Sequence, residues 1–232
     1  MPGLLSCQRF TISITLALGL LLLPVPAQSQ TFAGDTIKQV QREPGKMPLV
    51  SHSFFRQLAL HAAERIHLSV AYDPSYRKIP YPGGDVPDNT GVCTDLIVRA
   101  YRKLNVDLQV LVHEDMKAAF HAYPRQWGLS APDANIDHRR VLNLVTFFSR
   151  HGETLPVSHH GEDYAPGDIV SWQLPDNRPH IGIVSTIPNG SGSRYLIIHN
   201  IGNGPRSEDV LFKWTVRGHF RFKPASSESA IE

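Results

Sequence analysis

Cysteine is almost absent from this chain: two occur in 232 residues, Cys7 and Cys93. Uninterrupted apolar runs are missing too. "TISITLALGLLLLPVPA" follows Arg9, is broken at Pro24 and Pro26, and falls short of the roughly 20 residues that span a bilayer. With small residues Ala27 and Ser29 ahead of a cut, residues 1–29 read as a cleavable export signal. The mature protein is therefore expected in the periplasm or secreted, with no stable membrane insertion. Cys7 would leave with the signal, so no intramolecular disulfide remains possible, and a free thiol in an oxidising compartment calls for an explanation. Charge of one sign is also lacking. Lys and Arg number 23 against 21 Asp and Glu, net +2, and no basic run marks a nucleic-acid partner. Twelve histidines are present, but "HH" at 159–160 has no spaced partner set, so neither metal nor cofactor is expected. No repeat and no heptad seam occurs, and the oligomeric state stays open.

Residues 30–50 are polar and rich in Gly and Pro, a lead-in to one domain over 51–223, and 224–232 read as a disordered tail. "SFFRQLALHAAERIHL" (53–68) spaces Phe54, Leu58, Ala62 and Ile66 as a helix does, with Ser53 as N-cap. "YDPSYRKIPYPGGDVPDNTG" (72–91) is dense in turn residues, and a loop of that length in a compact domain is commonly functional. Helices are expected over 93–105, 113–123 and 137–152. From 165 the period changes: "DIVSWQL", "HIGIVSTI", "RYLIIHN", "DVLFKWTV" and "GHFRFK" read as an antiparallel sheet. Helices first and strands later make an α+β domain.

Cys93 opens a helix, where free N–H groups and the positive end of the dipole favour a thiolate and can hold an oxyanion. Gly91 allows a tight turn beside it. A thiol nucleophile needs a base, and the base a third group to orient it. His180, opening "HIGIV" with Gly182 leaving it uncrowded, is the candidate base. "YLIIHN" offers His199 or Asn200 as the orienting group; strand neighbours face opposite ways, so only one can point at His180. Asp95 falls in the first helical turn, where a carboxylate suits the dipole in any case, and Asp85 and Asp88 also suit turns.

In order, "GVCTDLIVRAY", "YAPGDIVSW", "HIGIV" and "YLIIHN" resemble the NlpC-type cell-wall cysteine peptidases of the papain-like clan. "YDPSY", "YPGGDVP" and "GVCTD" resemble more closely the domain-of-unknown-function family 1287 of that clan, over residues 50–223. The resemblance implies a papain-like NlpC-type fold, with N-terminal helices on an antiparallel sheet and the nucleophile at a helix start. It implies Cys93 as nucleophile, His180 as base and His199 as orienting residue, with Asn200 as the alternative. It places Tyr72, Tyr76 and Tyr81 along the substrate cleft. Typical NlpC-type sequences have Asp directly before the cysteine; here Val92 stands there, and Asp95, Asp85 or Asp88 would read the substrate instead. The expected activity is hydrolysis of an amide bond in peptidoglycan stem peptides through an acyl-enzyme. The alternatives are an acyltransferase, another amide or ester hydrolase of the clan, or a non-catalytic cell-wall binding module.

Overall fold

The computed structural model describes residues 54–225; the signal, the lead-in, the Ser53 cap and the tail from 226 lie outside the described residues. Helix α1 runs Phe54–Glu64 and tightens into a 3-10 turn at Arg65–His67. Two short parallel strands, β1 (Ala71–Tyr72) and β2 (Thr90–Gly91), pinch the ends of the tyrosine-rich loop together. Helix α2 follows at Cys93–Arg102, then α3 at Leu108–Ala119 and α4 at Val141–His151. Two helix expectations shift. The third helix begins five residues before His113, because the Asp107 side chain accepts from the Gln109 N–H and caps it there. The fourth begins at Val141, because 137–139 form a separate 3-10 turn.

The remaining strands are β3 (Glu153–Thr154), β4 (Ile169–Gln173), β5 (Pro179–Pro188), β6 (Tyr195–Asn200), β7 (Pro205–Glu208) and β8 (Thr215–Arg221). They form one antiparallel sheet in the order β3-β8-β4-β5-β6-β7, making a mixed α/β fold. The strand expected in "DVLFKWTV" is corrected: most of it is a turn, closed by Lys213 N–H donating to Val210 O, and only its end enters β8. Strand β7, "PRSE", has no apolar alternation to announce it.

Strand alternation divides the core. Ile169, Ile181, Ile183 and Ile198 pack toward the helices with Leu58, Ile97, Tyr101 and Phe148. Val170, Trp172, Val184 and Ile197 face a smaller cluster with Tyr164 and Leu211 on the other side. Asp168, fully buried, locks the β4 entry to β8. It accepts from Arg221 Nε (2.7 Å) and Nη2 (2.9 Å), from the Ala165 N–H (2.9 Å), and lies 2.8 Å from His219 Nε2. Breaking a buried pair from one side strands the remaining charge. Asp168→Asn is accordingly expected to lower unfolding free energy by about 3 kcal/mol, read from urea denaturation.

Candidate active site

The chain enters α2 through Gly91, whose φ of +153° favours glycine and whose Cβ would come within 3.2 Å of the Asp95 carboxylate. Val92 is the N-cap residue but has no side chain to cap with, and Asp95 does that work: its Oδ2 accepts the Val92 N–H at 2.7 Å. Arg139 then donates to both Asp95 oxygens, from Nε at 2.8 Å and Nη2 at 3.0 Å. The two side chains are 3% and 2% exposed. Arg139 also donates to the carbonyls of Ser75 and Asp73, and the Thr94 hydroxyl donates to the carbonyl of Arg139. Asp95 therefore holds the helix start, and both of its oxygens are engaged there. Nothing local in "DHRR" marks Arg139 for this, and sequence reasoning passed it over.

Cys93 is held at the far side of that junction, buried, beside the first residues of β5 and the end of β6. The amides of Ile181, Thr94 and Cys93 itself support the sulfur, and the Tyr72 hydroxyl reaches it. Asn200 Nδ2 donates to the Gly91 carbonyl at 3.3 Å, so the end of β6 grips the turn that delivers the cysteine. The expected lowering of the thiol pKa at a helix start is corrected by burial, which outweighs those amides and pushes the thiol up to about 12. Burial likewise, with the neighbouring Cys93, raises the Tyr72 hydroxyl to about 12, so it stays a donor.

His180 meets His199, not Asn200. The register pairs Gly182 with His199, so His180 and His199 are diagonal neighbours on one sheet face. A Cβ on Gly182 would lie 3.2 Å from that of His199 and 2.9 Å from Ile197 Cγ2, so the small residue permits the approach. His180 Nε2 lies 2.9 Å from His199 Nδ1, and His199 Nε2 lies 3.0 Å from Glu208 Oε2. Trp214 packs edge-on against both rings, at 5.6 and 5.7 Å, and Trp172 lies 6.0 Å from His180.

Hydrogen-bond polarity assigns the protons along this row. The Glu208 carboxylate only accepts, so His199 Nε2 carries the hydrogen and its Nδ1 accepts from His180 Nε2–H. The lone pair of His180 is then on Nδ1, the ring nitrogen that His199 does not occupy. This holds for neutral rings, and both are kept neutral: burial, then His199 and Arg178, pushes His180 down to about 3, and burial lowers His199 against the raising effect of Glu208. Glu208 was missed in the sequence because β7 is polar and opens with proline.

The other expected cleft residues are committed to other partners. Tyr76 donates to Asp133 and Tyr81 to Glu114. Asp85 takes two N–H groups of Arg99 and one of Arg102, and Asp88 pairs with Arg65. Of the three tyrosines, Tyr72 alone reaches Cys93. Among the described residues, no group of three or more His, Cys, Asp or Glu gathers as a metal site.

A protein of Escherichia coli (strain K12), YijF, is 53% identical over 161 residues, covering 69% of this chain and 78% of its own length. Among solved structures, that of NlpC1 from Trichomonas vaginalis matches with a TM-score of 0.43 and 17% identity, over 76% of this chain and 46% of that one. The chain spans just under half of that structure's length. By the match over residues 59–222, the chain belongs to the family described as Domain of unknown function (DUF1287).

Proposed function

We propose that this chain is an exported cysteine hydrolase of the NlpC-type, papain-like clan, cleaving an amide bond in peptidoglycan stem peptides. The observation that carries the reading is the Glu208–His199–His180 row, which leaves a proton-accepting Nδ1 on His180, next in sequence to the residue whose amide meets the Cys93 sulfur. The motif order around Cys93, His180 and His199 supports the same reading, and the export signal supports a cell-wall substrate.

The chemistry runs from a neutral pair. Both the thiol and His180 are uncharged at rest, so the thiol proton moves to His180 Nδ1 as sulfur attacks the carbonyl carbon. The oxyanion takes the Cys93 N–H at the helix start and the Tyr72 hydroxyl. Collapse breaks the C–N bond, and the imidazolium returns its proton to the departing amine. Water, deprotonated by the same nitrogen, then releases the acid and restores the thiol. Glu208 and His199 orient the base and spread the positive charge that His180 carries in the transition state. An amine acceptor in place of water would make the same acyl-enzyme a transferase.

Purified protein is expected to release peptide fragments from peptidoglycan, seen by mass spectrometry, and Cys93→Ala to release none. Equal release by both proteins would sink the mechanism. Glu208→Ala frees His199 to place its hydrogen on Nδ1 and so turns the His180 lone pair away from the thiol. It is expected to lower kcat by ~10²-fold, the lower end of what a positioned base supplies, with KM little changed. Glu208→Gln, whose amide oxygen still accepts, should recover much of that loss. With the thiol held near 12, the thiolate fraction grows tenfold per pH unit throughout the neutral range. Alkylation of Cys93 by iodoacetamide should therefore climb without a plateau from about pH 6 to about pH 9. A plateau reached in acid would mean a preformed thiolate–imidazolium pair and overturn the neutral resting state.

A further inference from the structure

Strands β4 and β8 are paired to their ends, with Gln173 opposite Thr215. Beyond that pair, the β4–β5 turn and the turn that leads into β8 flank a cavity of about 360 Å³. Backbone bonds close both walls. Leu174 N–H donates to Arg178 O at 2.9 Å, Asn177 N–H to Leu174 O at 2.9 Å, and Lys213 N–H to Val210 O at 3.0 Å. Trp214 lines the cavity and packs against Trp172 at 6.2 Å and against the His180 and His199 rings at 5.6 and 5.7 Å. The cavity is therefore preformed and of the size of small-molecule clefts, and one indole joins it to the imidazole row.

Its polar groups are spent unevenly. Gln173 Oε1 accepts from Arg217 Nε at 2.8 Å and from Arg217 Nη2, and Gln173 Nε2 donates to Asn177 Oδ1 at 2.9 Å. Both side-chain amide acceptors are thus used within the wall, and an amide neutralises none of the Arg217 charge. What remains is donors: the Asn177 amide N–H groups, further Arg217 N–H groups and the Lys213 ammonium. Lys213 Nζ lies 5.6 Å from the Trp214 ring centroid, and among the described residues no carboxylate pairs with it. No acidic side chain lines the cavity. Asp176, the acid of the β4–β5 turn, is paired with Arg178 at 2.6 Å.

We infer that this cavity binds an anionic sugar, a sugar phosphate or a sugar acid, with Lys213 and Arg217 taking the anion and Trp214 supporting the ring. The unbalanced positive charge calls for an anion, and the surplus of donors calls for a ligand rich in acceptor oxygens. The indole adds an apolar surface that a lone oxyanion cannot use. The site lies outside the Cys93–His180 machinery, so the inference goes beyond the hydrolase reading and does not rest on it.

The test is calorimetric titration of the full-length protein at one fixed ionic strength with glucose 6-phosphate, glucuronate, glucose, inorganic phosphate and acetate. Glucose 6-phosphate or glucuronate should bind about tenfold more tightly than glucose, and whichever binds names the anion. The matching free anion, phosphate or acetate, should bind more weakly than its sugar. Lys213→Gln should weaken the sugar anion roughly tenfold, the lower end of what a hydrogen bond to a charged group supplies, with glucose unaffected. Thr215 is exposed on the cavity wall, so Thr215→Asp should weaken the sugar anion by like-charge repulsion while the isosteric Thr215→Asn leaves it unchanged. Neither sugar anion binding more tightly than glucose overturns the inference, as does a free anion binding as tightly as its sugar. Binding that both Lys213→Gln and Thr215→Asp leave unaltered overturns it too. Binding is read without turnover, so the outcome is independent of whether Cys93 cleaves a peptide.

Discussion

The position of Cys93 depends on one buried ion pair. Asp95 accepts the last free N–H ahead of α2 and receives two N–H groups of Arg139, both side chains being almost wholly out of solvent. Such a pair is costly to desolvate and holds only where every remaining hydrogen-bonding group is satisfied. Here two further Arg139 N–H groups go to the carbonyls of Ser75 and Asp73, and Thr94 donates to the Arg139 carbonyl. The helix start, the tyrosine-rich loop and the turn before α4 are thereby fixed against one another. Tyr72 reaches the sulfur because that loop is tied at this junction and by the β1–β2 pairing.

Around that fixed point the electrostatics favour neutral groups. A thiol at a helix start gains from the dipole and from nearby amides, but only by an amount suited to a partly exposed site. Burial of Cys93 reverses the sign, and burial of His180 and His199 does the same for their protonated forms. What the site keeps is direction: one carboxylate at the end of a row of imidazoles decides which nitrogen of His180 bears the lone pair. Trp172 and Trp214 pack over the two imidazoles and keep water from the buried His180–His199 hydrogen bond, which strengthens it. In the proposed reaction, charge appears only as sulfur attacks, and the row is already oriented to receive it.

Much of this was legible in the chain. Apolar spacing marked α1 and α2, β-branched runs marked β4, β5 and β6, and the solitary cysteine with its Gly91 turn marked the helix start. Those signals are local: they arise from the period of a helix or strand and from the chemistry of one turn. The helix ends were less legible, since α3 is started by Asp107 and α4 is delayed by the 3-10 turn at Asp137–Arg139. The turn in "DVLFKWTV" has enough apolar residues to imitate a strand because Val210 and Leu211 fill the smaller core cluster. The sequence by itself determined the class of the fold, the residue to examine first, and the two candidates for partner of His180. The tertiary structure decided the rest. Choosing His199 over Asn200 required the register between β5 and β6, and finding Glu208 required the pairing of β6 with a polar strand. The partner of Asp95 came from 44 positions downstream. None of these is encoded by local periodicity, because each depends on which segments distant in the chain come to share a sheet face or a buried junction.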